Sequence, residues 1–160
     1  MSLFSRTRLA LTTPATGPAD VESRRRTVAR LALGGFLAFA GTSHLTWSRQ
    51  EFQAQVPPWV PVNADAVVIG SGLIEVALGT ALITVGRPRR ALVGGLAAAF
   101  FVAVFPGNIS QFVTRTDAFG LDTDRARAVR LAFQPALVAW ALWSTGAGSA
   151  LRRARRSRSS

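Results

Sequence analysis

Cysteine is absent from this 160-residue chain. Disulfides, thiolate nucleophiles, paired redox thiols and iron–sulfur ligation are all excluded with it. Histidine occurs once, as His44, so neither a bis-histidine haem nor a multi-histidine metal site can be built within one chain, and no metal centre is expected. Charge is scarce: 17% of residues are charged and 49% are hydrophobic, where a soluble domain averages about 25% charged. Lysine is missing, so the 19 basic residues are all arginine; they face 8 acids, for a net charge of +11. An excess of that size can mark a nucleic-acid binder. Here, however, the arginines gather at the ends of apolar runs, and no interior segment mixes basic and aromatic residues. The expected partner is a lipid bilayer, not nucleic acid.

Four apolar runs follow one another: LALGGFLAFAGTSHLTW (31–47), AVVIGSGLIEVALGTALITV (66–85), ALVGGLAAAFFVAVFPGNISQF (91–112) and AVRLAFQPALVAWALWSTGAGSA (128–150). Twenty helical residues rise roughly 30 Å, the hydrocarbon thickness of a bilayer. RRRTVAR leads into the first run, with Arg30 expected to snorkel to the interface. Basic residues before an apolar run containing Ala38-Phe39-Ala40 also resemble a cleavable signal, but the run continues past that point and three more follow, so it reads as an uncleaved span. The expected organisation is a flexible basic N-terminal tail (1–27), a four-span membrane domain (28–150) and a solvated basic C-terminal tail (151–160). The expected fold class is all-α, an integral membrane four-helix transmembrane bundle.

Arginine placement orients it. Residues 6, 8, 24, 25, 26 and 30, the 87–90 turn and the C-terminal tail carry fourteen of the 19. The segments 48–65 and 114–130 carry the other five, together with Glu51, Asp65, Asp117, Asp122 and Asp124. The positive-inside rule then places both termini in the cytoplasm and the chain in a bacterial cytoplasmic membrane as a multi-pass protein.

With that topology every polar residue in a span acquires a depth. His44 and Asn108 lie roughly 5 Å below the outer boundary, Gln134 roughly 8 Å and Glu75 roughly 14 Å, with Arg130 entering at the outer end of the fourth span. All five sit at or above the midplane. An unpaired charge at the depth of Glu75 costs at least about 2.5–3.5 kcal/mol, so a partner or a retained proton is expected. Gly72, Glu75, Gly79 and Leu82 share one helix face; Gly34, Ala38 and Gly41 share another, with His44 one turn further. Small residues at that spacing let helices approach closely. The packed faces therefore carry the polar residues inward, toward a cavity open to the outer side. Glu75 and Arg130 are expected in one network, directly or through Gln134, His44 or water. Pro106 and Pro135 each free a carbonyl inside a span, which Asn108 or Gln134 could satisfy instead of a ligand. VPPWVP (56–61) cannot be a regular helix and reads as a stiff outer cap, with Trp59 at headgroup level.

The ordered set GTSHL (41–45), VPPWVP (56–61), GLIEVALG (72–79), VFPGNI (104–109) and RLAFQPALVAW (130–140) resembles the DoxX-like family of small four-helix bacterial membrane proteins. The likeness covers about residues 28–146. Members often carry Phe after the first-span histidine, where this chain has Leu45. The resemblance implies a cytoplasmic-membrane four-helix protein; some relatives are subunits of quinone-linked sulfur oxidation or of oxidative-stress complexes, and most have no assigned activity. Carried over by position, the candidate ligand-binding residues are His44, Glu75, Asn108, Arg130 and Gln134. The leading expectation is an accessory subunit, not a stand-alone enzyme, whose outer-leaflet pocket holds a small amphipathic molecule such as a quinone beside a redox partner subunit. A small proton-coupled transporter using Glu75 and a ligand-free scaffold are the alternatives. No catalytic residue, ligand identity or oligomeric state follows from the sequence.

Overall fold

The computed structural model describes residues 18–157, and the fold among them is helical, with no strand. Six α-helices follow in order: α1 (Pro18–Leu45), α2 (Arg49–Gln53), α3 (Ala64–Thr84), α4 (Arg90–Thr114), α5 (Asp124–Thr145) and α6 (Ala147–Arg156). A short 3-10 turn, Arg87–Arg89, joins α3 to α4. Residues 1–17 and 158–160 of the expected tails lie outside the described residues. Within the described part both tails differ from expectation. Helix α1 already begins at Pro18, and α6 takes in residues 151–156 of the expected solvated tail together with 147–150, the end of the expected fourth span.

Among the described residues, three segments are long and apolar enough to cross a membrane: Ser23–Leu45, Ala64–Thr84 and Arg87–Thr114. Helix α5 has 22 residues, ample length for a fourth, but Arg130, Gln134 and Pro135 dilute its apolar run. The polar residues that make this helix interesting are the ones that weaken its membrane signal.

Caps explain where the helices begin and end. The Asn63 side chain accepts from the amides of Asp65 (2.8 Å) and Ala66 (3.4 Å), starting α3. Thr123 Oγ1 accepts from the Ala126 amide at 3.2 Å, starting α5. Helix α5 stops at Gly146, whose φ of 76° is the left-handed region that glycine enters without penalty.

The helices associate as two tight pairs, α1 with α3 and α4 with α5, joined mainly by α1 against α5. Contact between α1 and α3 is backbone to backbone. A Cβ built on Gly41 would lie 2.5 Å from the Gly72 carbonyl oxygen, and one on Gly79 would lie 2.6 Å from the Ala38 amide nitrogen. The buried face of α3 is Val68, Gly72, Glu75, Gly79 and Leu82, the face read from the sequence.

The interior is divided along its length. At the end holding the N-terminus of α1, Leu33, Leu37, Leu82, Ala97, Phe101 and Ala141 belong to a buried apolar core. Arg30 lies in this half, only 4% exposed. It does not snorkel: its guanidinium Nη1 donates to the carbonyls of Leu82 and, at 3.2 Å, Ile83, at the C-terminus of α3. Those carbonyls have no partner within their own helix, and the negative end of the helix dipole favours a cation there. Trp140 Nε1 donates to the Ala29 carbonyl at 2.9 Å and ties α5 to the same end.

The opposite end is held by ion pairs. Arg49 Nε donates to Asp65 Oδ1 at 2.5 Å, and Gln53 Nε2 donates to the same oxygen at 2.5 Å. The adjacent carboxylate holds the Arg49 guanidinium above its ordinary pKa. Arg127, 5% exposed, donates to Asp124 at 2.9 Å, to the Asp122 carbonyl at 3.2 Å and to Asp117. This gathers the α4–α5 loop around one buried cation.

Candidate functional site

Between the two helix pairs, above the apolar core, lies a cavity of about 600 Å³. All five sequence candidates line it: His44, Glu75, Asn108, Arg130 and Gln134. Phe52 and Gln55, before the prolines, and Trp59, among them, also line it. Residues 56–61 are non-helical, as their prolines require. Most of the rest of the wall is apolar, including Val68, Phe101 and Leu137, with Ser43 and Ser71 among it. An apolar cavity with a few convergent polar groups is the usual form of a small-molecule site.

The polar groups form two clusters on facing walls. On the α1–α3 wall, His44 Nδ1 and Glu75 Oε2 are 2.6 Å apart. The pair is in contact without the alignment of a hydrogen bond, and neither atom has another partner among the described residues. Both residues are buried, at 7% and 8% exposure. The small-residue crossing positions them, because a Cβ on Gly72 would lie 2.8 Å from the His44 Cβ. Only glycine lets His44 sit this close to α3.

The second cluster spans α4, α5 and the segment between α2 and α3. Arg130 Nη2 donates to Gln55 Oε1 at 2.9 Å, and Arg130 Nε to Asn108 Oδ1 at 3.3 Å. Asn108 Nδ2 donates to Gln134 Oε1 at 2.9 Å, and Gln134 Nε2 donates to the Phe101 carbonyl at 2.6 Å. Phe101 is the residue before Val102, whose carbonyl loses its helical donor to Pro106. Gln55 Nε2 remains buried without a partner among the described residues.

No direct hydrogen bond joins Glu75 to Arg130 among the described residues, and the direct side-chain contacts fall into two clusters. What lies between is aromatic. The His44 and Phe52 rings are 3.4 Å apart between centroids, Phe52 and Phe119 are 4.5 Å apart, and Arg130 Cζ stands 5.0 Å from the Phe119 centroid. Glu51 Oε2 accepts from the Phe119 amide at 2.8 Å, holding that bridge in place. A second cavity of about 300 Å³ lies behind the Arg130–Asn108–Gln134 wall, lined also by Phe133 and Val129.

Sequence reasoning missed Gln55, Phe52 and Phe119. None lies in an apolar run, so neither depth nor helical period singles them out. The only hint was that Gln55 comes two residues before the Pro57-Pro58 turn.

Chemically, the cavity offers a buried carboxyl and imidazole on one wall and a guanidinium with carboxamides on the other. Among the described residues no group of side chains could hold a metal ion. A family model described as a domain of unknown function (DUF8561) matches residues 33–145, and the chain belongs to that family. The match spans every residue of the site and carries no link to the DoxX-like family. No curated protein and no solved structure matches the chain.

Proposed function

We propose that this chain is an integral membrane protein of DoxX-like type, crossing the bacterial cytoplasmic membrane four times with both termini inside. Its outer-leaflet cavity holds a small amphipathic molecule, of which a quinone is the best fit, and the protein acts as an accessory subunit beside a redox partner. The observation that carries this reading is surplus hydrogen-bonding capacity. Gln55 Nε2 is buried beside the cavity without a partner among the described residues, and His44 Nδ1 and Glu75 Oε2, buried on the facing wall, have only each other, 2.6 Å apart. An unsatisfied buried group costs about 1–3 kcal/mol, and a bound molecule with polar atoms at opposite ends would engage both walls.

A quinone fits those donors. Arg130 and Gln55 can donate to one carbonyl oxygen and His44 to the other. Glu75, in contact with His44 Nδ1, is placed to hold or release a proton beside that second oxygen. When bound, a quinone would supply two-electron redox chemistry; the protein's own residues bind it, orient it and move the proton. The apolar core of Leu33, Leu37, Leu82 and Ala141 fills the other half of the interior, which favours a closed pocket over a transporter's through-path.

The test is a difference-absorbance titration of the purified protein with a short-chain quinone. A saturating spectral change, weakened in Arg130→Ala, is expected. A linear change equal to that of empty micelles would remove the quinone from the account.

A further inference from the structure

The C-terminal helix takes no part in the cavity. Helix α6, AGSALRRARR, follows the Gly146 bend, and its first turn packs back beside Leu142 of α5. Its residues sort cleanly by face. Ala147, Ala150, Leu151 and Ala154 fall at i, i+3, i+4 and i+7, one stripe of a 3.6-residue helix. Arg152, Arg153, Arg155 and Arg156 occupy the other side and are exposed. The apolar stripe is only partly covered by protein: Ala147 is 2% exposed, whereas Leu151 is 53% exposed.

The charges of α6 also have company. Arg30 binds the last carbonyls of α3, so the N-terminal part of α1 and the C-terminus of α3 share one end of the molecule. A Cβ on Gly94 would meet the Thr145 side chain, and α6 packs against both α4 and α5. The start of α4 and all of α6 are therefore at that end too. Exposed Arg24, Arg25, Arg87 and Arg89 stand there with the α6 arginines. The acids Glu51, Asp65, Asp117, Asp122 and Asp124 are all at the opposite end, in or beside α2 and the α4–α5 loop.

We propose that α6 is an interfacial helix that binds the headgroups of anionic phospholipids in the cytoplasmic leaflet, with Leu151 and Ala154 against the acyl chains and its arginines on lipid phosphates. Basic amphipathic helices bind through buried apolar area together with attraction to anionic lipid. Four arginines on one short helix meet the density at which such attraction becomes lipid-specific. The inference rests on the membrane reading above but not on any ligand in the cavity.

Because the chain has no cysteine, single reporters can be introduced without background. Environment-sensitive labels at Ala154→Cys (apolar stripe), Ser149→Cys (opposite face) and Leu73→Cys (a 57% exposed residue of α3) are read in nanodiscs carrying lipid-borne quenchers. The discs are purely zwitterionic or contain anionic phospholipid. Quenching at Ala154→Cys should rise several-fold with anionic lipid and stay low at Ser149→Cys. The rise should vanish when all four α6 arginines become Gln, and also in roughly 1 M salt, where the Debye length is about 3 Å. Equal quenching at Ala154→Cys in both lipids, or an equal response to inorganic phosphate in zwitterionic discs, overturns the inference while quenching at Leu73→Cys keeps the membrane reading. Absence of quenching at Leu73→Cys overturns both.

Discussion

Replacing Gly41 by Ala tests whether the α1–α3 crossing builds the site. The added Cβ would lie 2.5 Å from the Gly72 carbonyl oxygen, 2.8 Å from the Glu75 Cβ and 2.8 Å from the Val76 amide nitrogen. Ordinary contact begins near 3.4 Å, so the shortfall is about 0.9 Å at the tightest point. Two of the three neighbours are backbone and cannot swing aside, so the helices themselves must separate. Overpacking of this kind costs about 1–3 kcal/mol, and the backbone neighbours argue for the upper half. Gly35→Ala is the internal control, because nothing lies within 4 Å of its Cβ. Both substitutions share the helix-propensity gain of about 0.5–1 kcal/mol, which cancels between them. The predicted difference is therefore about 1–3 kcal/mol, read as the shift in unfolding free energy during titration of detergent-solubilised protein with a denaturing detergent. Separation of α1 from α3 also moves His44 away from Glu75, so Gly41→Ala should weaken quinone binding and Gly35→Ala should not. If the two variants unfold together, the close crossing does not exist and the geometry of the His44–Glu75 wall loses its basis.

Glu75→Gln should accumulate and melt near the parent, since a carboxamide keeps the shape and hydrogen-bonding capacity without charge. Glu75→Ala should cost about 1–3 kcal/mol by stranding its neighbours; identical melting of both would show that the carboxyl is neither a tie nor a buried ligand. Arg127→Ala removes the donor to Asp117, Asp122 and Asp124 and should cost about 1–3 kcal/mol. Amide exchange should quicken across 115–123, and unchanged exchange there would show that Arg127 does not organise the loop. Reporter fusions after the C-terminal tail and in the 87–90 turn should report cytoplasm, and fusions at 117–124 the outside. An external signal from the C-terminal fusion would contradict four spans.

The parts of the fold legible in the sequence were those governed by helical period. Gly72, Glu75 and Gly79 share a face by spacing alone, and that face is buried. The five polar candidates stood out because an ionisable or amide side chain is conspicuous in an apolar run, and all five reach one cavity. What stayed hidden depends on contacts between distant segments. Gln55 is 75 positions from Arg130 along the chain, and Phe119 meets Phe52 only through loop packing. Arg30 looked like an interfacial arginine because its acceptors are carbonyls, which leave no trace in side-chain patterns. The division of the polar set into two walls was equally invisible, since depth orders residues along the membrane normal but does not say which wall of a cavity they occupy.

Photoaffinity mapping tests the central claim most directly. An azido-quinone irradiated with the purified protein should leave adducts on cavity segments, within 36–44, 52–60 or 101–108, and excess unlabelled short-chain quinone should suppress them. Adducts spread over outward-facing residues such as Leu92 and Leu96, which are 63% and 52% exposed, with no suppression by competitor, would contradict a ligand pocket between the helix pairs.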